Sequence, residues 1–287
     1  MREEKPDTMK DVQEPEELRR YLMAKGSNHR NHLHYTNFAG LIGIIRSGFF
    51  HLSSGDRMND RQELQKGSRD MWKNIFIGSF AYGQNENMAM WGLYGLPWED
   101  AVCLSIPGKQ MLEWAGGIEE VCRIGDGGTY EPVGPPREAA LTDVAYIGEP
   151  QDGAFTIKRY DETLRVTAKM PAFNGINEAA PMTGVIKNDA WHYENEVRLR
   201  VHFENRQALG AVAVKVPESL IESMTVVFGP WAKADAVQRL EARIREILQN
   251  ENGLPRRESG YTGLVSYNTA CRYCAGGAFS RVFDPLD

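Results

Sequence analysis

Apolar residues along this chain recur at two spacings, and the switches between them outline its elements. "EPEELRRYLMAKG" carries acids in its first turn and ends on Gly26, which predicts a short helix with a glycine stop. In "HLHYT" the period-2 pattern predicts a strand, with His32, His34 and Thr36 on one face and Leu33 and Tyr35 on the other. "NFAGLIGIIRSG" then predicts a helix capped by Thr36 or Asn37, with Leu41, Ile44 and Ile45 in its buried stripe and Gly48 as its end. "FFHLS" and the β-branched, aromatic "NIFIGSFAY" read as strands. Between them "NDRQEL" reads as a polar helix capped by Asn59 or Asp60. "NENMAMWGLYG" predicts a helix because Met88, Trp91 and Tyr94 fall three apart, and "AVCLSI" predicts a strand.

The glycine- and proline-rich stretch 115–138 reads as a loop insertion. Beyond it, "LTDVAYI" predicts a strand, "FTIKRYDETLRVTAKM" a helix and "WHYENEVRLRVHF" a long alternating strand, with "ALGAVAVKV" and "MTVVFG" two more. "ADAVQRLEARIREIL" is an amphipathic helix with Val237, Leu240, Ile244 and Ile247 on one side. Strands outnumber helices, and the helices fall irregularly between them. That order favours α+β with a mixed or antiparallel sheet over a doubly wound fold.

Composition adds limits. The chain has 287 residues, 42% hydrophobic and 25% charged, an ordinary globular balance for one large domain or two small ones. Cys103, Cys122, Cys271 and Cys274 fit a reducing compartment; the pair in "CRYC" has no second pair or nearby histidine to complete a zinc set and reads as ordinary thiols. No apolar run reaches the roughly 20 residues of a membrane span, and the charged start "MREEKPDTMK" has no secretion-signal core. The expectation is a cytoplasmic protein without a membrane partner. A net charge of −6 argues against broad nucleic-acid affinity, while leaving room for local basic patches near "RNH" and "RRES". Dinucleotide GxGxxG, P-loop and GxSxG motifs are all missing, which removes the standard phosphate cradles and the serine elbow.

The candidate chemistry lies in "KNDAWHYENEVRLRV". Alternation places His192, Glu194, Glu196, Arg198 and Arg200 on one face, with the two carboxylates about 6–7 Å apart. Arg198 is placed to pin one of them for electrostatic or general-base work. The competing reading of the same face is a solvated ion-pair ladder, worth little per pair. Trp91 on the "MAMWGLY" helix reads as core, whereas Tyr94, next to Gly95, sits where a ring stays open to stack on a flat ligand. His29, His32 and His34 raise a metal site with Glu194 or Glu196, but their spacing matches no helix-borne ligand set.

Taken together, "HYT", "MNDRQE", "MWGLY", "WHYENEVR" and "VVFGP" resemble a bacterial family catalogued as a domain of unknown function, with HYT, NDPxE, MWxxY, WxxExExR and FGP in that order from His34 to Pro230. The chain departs from it at Arg61, where the family usually has proline, in the insertion 112–138, and in the tail past residue 252. That family resembles in turn the ADP-ribosyltransferase superfamily of the diphtheria-toxin and poly-ADP-ribose-polymerase type. The resemblance implies a split mixed or antiparallel β-sheet flanked by helices, with NAD as substrate, no metal, and a toxin or defence role. It implies that His34 bonds a ribose hydroxyl with Thr36 in support, that the Tyr35 backbone holds the nicotinamide carboxamide, and that Tyr94 stacks on the nicotinamide. Ser79 or Trp91 would line the wall, Arg198 would belong to the cofactor-binding set, and Glu196, or else Glu194, would act on the ribose.

The resulting expectation is residues 1–26 as a charged helical extension, 27–250 as one ADP-ribosyltransferase-like domain and 251–287 as a C-terminal extension. Its activity would be NAD-dependent transfer to a protein or nucleic-acid acceptor, or NAD hydrolysis. Two alternatives stand beside it: a non-catalytic nucleotide-binding sensor, and a metal-dependent hydrolase or nuclease built on the histidine pair and Glu194.

Overall fold

The arrangement that matters most is on one central strand, β3 (Ile75–Tyr82), whose two edges are treated differently. Along one edge it pairs without a break, from Ile75 to Ala81, with β12 (Glu196–His202). Along the other, β1 (Asn31–Asn37) meets only Ala81 and Tyr82, and β2 (Phe49–Ser54) meets only Phe76 and Ile77. Gly78, Ser79 and Phe80 lie between, and there the sheet splits. Ser79 is consequently exposed within a strand whose other residues are all buried.

These details come from a computed structural model that describes residues 15–58, 72–83, 86–147, 154–158, 163–167, 183–205, 209–250, 252–260 and 262. The segment carrying Asn59, Asp60 and Arg61 and the pair Cys271 and Cys274 fall outside them. Further strands are β4 (Ala101–Pro107), β5 (Val121–Ile124), β6 (Tyr130–Gly134), β7 (Glu138–Asp143), β13 (Ala211–Lys215), β14 (Thr225–Phe228) and β15 (Arg256–Glu258). Among the described residues, they complete a mainly antiparallel sheet of 11 strands in the order β15-β14-β4-β1-β3-β2-β13-β5-β6, with β12 on β3 and β7 on β12. A second sheet of four strands is built from β8 (Ala145–Ile147), β9 (Ala154–Lys158), β10 (Thr163–Thr167) and β11 (Ile186–Asn188).

Helices cover both faces. α2 (Phe38–Ser47) starts as its sequence predicts, with the Asn37 side chain accepting from Gly40 N, and ends on Gly48 in the left-handed region (φ 69°). α4 (Gly108–Gly116), α5 (Glu218–Ser223) and α6 (Ala234–Leu248) join it on the main core through Met111, Trp114, Leu220, Leu240 and Ile244. On the opposite face α3 (Met88–Tyr94) buries Met90 and Trp91 against Leu33, Tyr35 and Cys103. α1 (Pro15–Gly26) packs on β7. None of the described helices is long and apolar enough to cross a membrane.

Three sequence expectations are corrected. The stretch 115–138 is no loop: β5 and β6 form a hairpin that extends the main sheet through β13. Its turn uses Gly127 and Gly128 at positive φ, which is what the glycines are for. The helix expected over "FTIKRYDETLRVTAKM" is instead a pair of antiparallel strands, Phe155 opposite Val166 and Ile157 opposite Leu164. Its β-branched residues follow the period-2 choice once a neighbouring strand is available. The long strand expected from Trp191 is broken: Asp189–Glu194 is a 3-10 turn, Asn195 adopts a left-handed conformation (φ 45°), and β12 starts only at Glu196. The solvated-ladder reading fails with it, since Glu194, Glu196, Arg198 and Arg200 are all at most 4% exposed.

Candidate active site

A cavity of about 350 Å³ occupies the split. His34 and Tyr35 line it from β1, Phe50 and Ser53 from β2, Gly78, Ser79 and Ala81 from β3, Met90 and Tyr94 from α3, and Arg57, Lys187, Glu194 and Glu196 close it. Gly78 lets Leu52 and Phe50 pack close to β3 here, since a Cβ would come within 2.7 Å of Leu52 Cδ2 and 3.0 Å of Phe50 Cε1 and force those side chains to shift.

His34 spans the gap in the sheet. Its Nδ1 lies 3.1 Å from the Ser79 carbonyl, and its ring packs edge-on against Phe50. Burial lowers its pKa and the Ser79 bond only partly opposes this, so the imidazole is neutral at neutral pH. A neutral ring that donates from Nδ1 offers Nε2 as an acceptor.

Opposite stand the two carboxylates. The kink at Asn195 brings Glu194 alongside Glu196 so that one ammonium serves both: Lys187 Nζ lies 2.5 Å from Glu194 Oε2 and 3.4 Å from Glu196 Oε2. Arg198 holds Glu196 in a two-pronged grip, Nε to Oε1 at 2.8 Å and Nη2 to Oε2 at 3.0 Å, and gives Nη1 to the Gly184 carbonyl at 2.7 Å. The Glu196 backbone N–H donates to the Tyr146 hydroxyl at 2.7 Å. Burial alone would raise the Glu196 pKa. Arg198, Lys187 and the Ser79 hydroxyl more than offset it and hold the carboxyl at about 2. Glu194 goes the other way: burial and its anionic neighbour Glu196 raise its pKa despite Lys187 and Tyr94.

Tyr94, the last residue of α3, is 37% exposed, and its hydroxyl donates to Glu194 Oε1 at 2.9 Å. Asn87 fixes this helix, capping it through Ala89 N and also bonding the Tyr193 carbonyl beside Glu194. The Tyr35 hydroxyl accepts from Asn87 N at 3.0 Å, which ties β1 to the start of this helix.

Not every sequence candidate arrives at the split. Trp91 is fully buried, edge-on to Tyr35, with Nε1 bonded to Glu86, and does not line the cavity. Arg198 pins a carboxylate but is itself sealed off, so it is not placed to touch a cofactor. Thr36 lines a neighbouring groove of about 770 Å³ that shares His34, Phe50 and His51 with the cavity and adds Gly40, Gly43, Arg46 and Tyr130. The histidine-metal arrangement is not formed, because His32 is buried against the Gly26 carbonyl and His29 bonds Asp143, and neither lines the cavity that Glu194 lines. Among the described residues, no three His, Cys, Asp or Glu side chains converge as a metal set.

Sequence reasoning missed Lys187, Tyr146, Arg57 and Asn87. Only Asn87 carried a local signal, as an N-cap residue before an apolar helix. Lys187 and Tyr146 are neighbours across β11 and β8, a pairing set by tertiary structure alone.

No family model matches the sequence, and no curated protein matches it. Among solved structures, Thermus sp. 2.9 DarT in complex with carba-NAD+ is similar at 11% identity and a TM-score of 0.34, over 81% of this chain and 96% of that one. Thermus sp. 2.9 DarT in complex with ADP-ribosylated ssDNA is similar at 10% identity and the same TM-score, over 80% and 93%. Similarity of this degree leaves the function to be argued from the site itself.

Proposed function

We propose that the chain cleaves the nicotinamide–ribose bond of NAD, as an ADP-ribosyltransferase or an NAD glycohydrolase. The observation that carries this reading is the split in the sheet, which gathers a neutral histidine, an open tyrosine ring and two buried carboxylates around a single cavity. About 350 Å³ falls within the usual range of ligand sites and suits a nicotinamide riboside; the adjoining groove suits the remainder of a dinucleotide. A separate cavity of about 700 Å³, bordered by Glu113, Glu119, Glu120 and Glu218, would repel a diphosphate.

Breaking this bond sends its electron pair to the nicotinamide nitrogen and builds positive charge on the ribose, as in glycoside hydrolysis. In this reading His34 accepts from a ribose hydroxyl, Tyr94 stacks on the nicotinamide ring, and Glu196 bonds the ribose and stabilises the charge. A carboxylate some 4 Å away gives roughly 4 kcal/mol at an effective dielectric of 20, about a thousandfold in rate. Transfer and hydrolysis differ only in what then attacks the ribose carbon: a group on a protein or nucleic acid, or water.

A sensor that binds NAD without turning it over has one observation in its favour. Lys187 and Arg198 balance the two carboxylates, and a balanced cluster attracts a developing cation less than a lone carboxylate does. Incubation with NAD separates the readings. The proposal expects nicotinamide release that survives a chelator and is lost in Glu196→Gln; binding without release selects the sensor, and loss to the chelator selects metal chemistry.

A further inference from the structure

Lys187 opens the stretch "KNDAWHYENEVRLRV" without being given a role there, yet its ammonium bonds both carboxylates of the cavity. That side chain is only 2% exposed, and its Nζ rests 4.8 Å from the centre of the Trp191 ring. The small second sheet puts it there. β11 runs parallel to β8, so Lys187 stands beside Tyr146, and both residues reach Glu196 from that side.

The contacts around the two acids are unequal. Each oxygen of Glu196 faces a cation, Oε1 meeting Arg198 Nε, and Oε2 meeting Arg198 Nη2 and Lys187 Nζ. Glu194 has one oxygen on Lys187, while its Oε1 meets the neutral Tyr94 hydroxyl. Resting on the NAD-cleaving reading above, we propose that Lys187 is a positioning residue that divides the work of the two acids. Beside the two-pronged grip of Arg198 it helps hold Glu196 as the permanent anion facing the ribose, and its shorter contact to Glu194 keeps that carboxyl able to shed its proton and take the one of the attacking group.

The bond changes balance on this scheme. The C1′–N bond breaks with its electron pair leaving on nicotinamide, the acceptor or water forms the new bond to C1′, and its proton passes to Glu194 Oε1. The groups facing Glu194 are Lys187 from β11, Glu196 with Arg198 behind it from β12, Tyr94 from α3, Tyr146 from β8, and Tyr193 beside it in the chain. The charges around the two acids act in the same sense: Arg198 and Lys187 hold the Glu196 carboxyl low against its burial, while burial and the neighbouring Glu196 anion push Glu194 up.

The test is the pH profile of nicotinamide release in Lys187→Met and Lys187→Arg. In the unaltered chain the rate rises with pH as Glu194 loses its proton. Removing a cation at hydrogen-bond distance moves that rise toward alkali by about one to three pH units. Lys187→Arg keeps the charge and keeps the rise near its original position. A Lys187→Met protein that is slower or less stable, with its rise unmoved, overturns the proposal.

If Lys187→Met does not fold, carboxyl ¹³C titration of the unaltered chain decides the question without turnover. Glu194 must hold its proton to higher pH than Glu196, and Lys187→Arg must preserve that order; a reversed or equal order overturns the division. A chain that releases no nicotinamide overturns the NAD reading instead, so the two failures are told apart.

Discussion

Two polar clusters meet on β1, and they are made of similar parts. His32 and His34 are two residues apart on β1; Asp143 lies opposite Val197, the residue after Glu196, and its own neighbour Val144 donates its N–H to the Glu196 carbonyl at 3.0 Å. Yet His32, His29, Asp143 and Tyr82 form a closed cluster. His29 bonds Asp143 at 2.6 Å and stacks flat on Tyr82 at 4.0 Å, while His32 bonds the Gly26 carbonyl. None of the four lines the cavity, whereas His34, Tyr94, Glu194 and Glu196 all do. Residue type does not separate the two groups. The unpaired stretch of the β3 edge between β1 and β2 does: His34, Tyr94, Glu194 and Glu196 gather around it, whereas the other four pack against one another elsewhere.

The comparison is open to attack at its strongest point first. Glu196→Gln keeps the shape and removes the anion, so nicotinamide release should fall about a thousandfold, near 4 kcal/mol, with the far-ultraviolet circular dichroism unchanged. A residual rate within a few-fold of the original would put the carboxylate outside the chemistry.

The closed cluster should instead show itself in stability. Burial lowers the His32 pKa from 6.5 to about 4, against help from the Gly26 bond. The folded chain resists charging this ring, so its contribution is complete above pH 6.5 and fades as pH falls toward 4. The whole effect is worth about 3 kcal/mol. Urea unfolding at pH 7 and pH 4 should therefore show a loss about that much larger in the unaltered chain than in His32→Gln. Glu196, present in both proteins, loses its own stabilising effect below its ordinary 4.5 as pH falls toward 2, and cancels in the difference.

Kinetics then set the two histidines apart. His34→Ala should raise KM for NAD about tenfold, the value of one hydrogen bond to a ribose hydroxyl, while His32→Gln leaves KM unchanged at a temperature where it is folded. An equal rise in both would dissolve the distinction. Least of all, Tyr94→Phe keeps the ring and loses only the 2.9 Å bond to Glu194, so kcat should drop about fivefold, near 1 kcal/mol.

Much of the local structure was legible. Asn37, Gly48 and the stripe Leu41, Ile44, Ile45 predicted α2, because caps and periodicity are written in adjacent residues. The α+β class followed from element order. Legibility stopped where a partner strand decides. The segment around Phe155 and Val166 is extended because each strand has the other, and the hairpin within 115–138 exists because β13 offers an edge. In the site, period 2 put Glu194 and Glu196 together for a reason the structure replaces: Asn195 is left-handed, and Lys187 from another sheet draws both acids to one point. Trp91 was ambiguous as a wall or a core residue until its burial decided it. The split itself has no local signature, since it consists of bonds β3 does not make.

The most direct trial is the crystal structure of the Glu196→Gln protein with intact NAD. The account expects the nicotinamide ring against Tyr94 and the adjoining ribose between His34 and residue 196, inside the gap beside Gly78 and Ser79. NAD seated elsewhere on the molecule, with that gap filled by side chains alone, would contradict it.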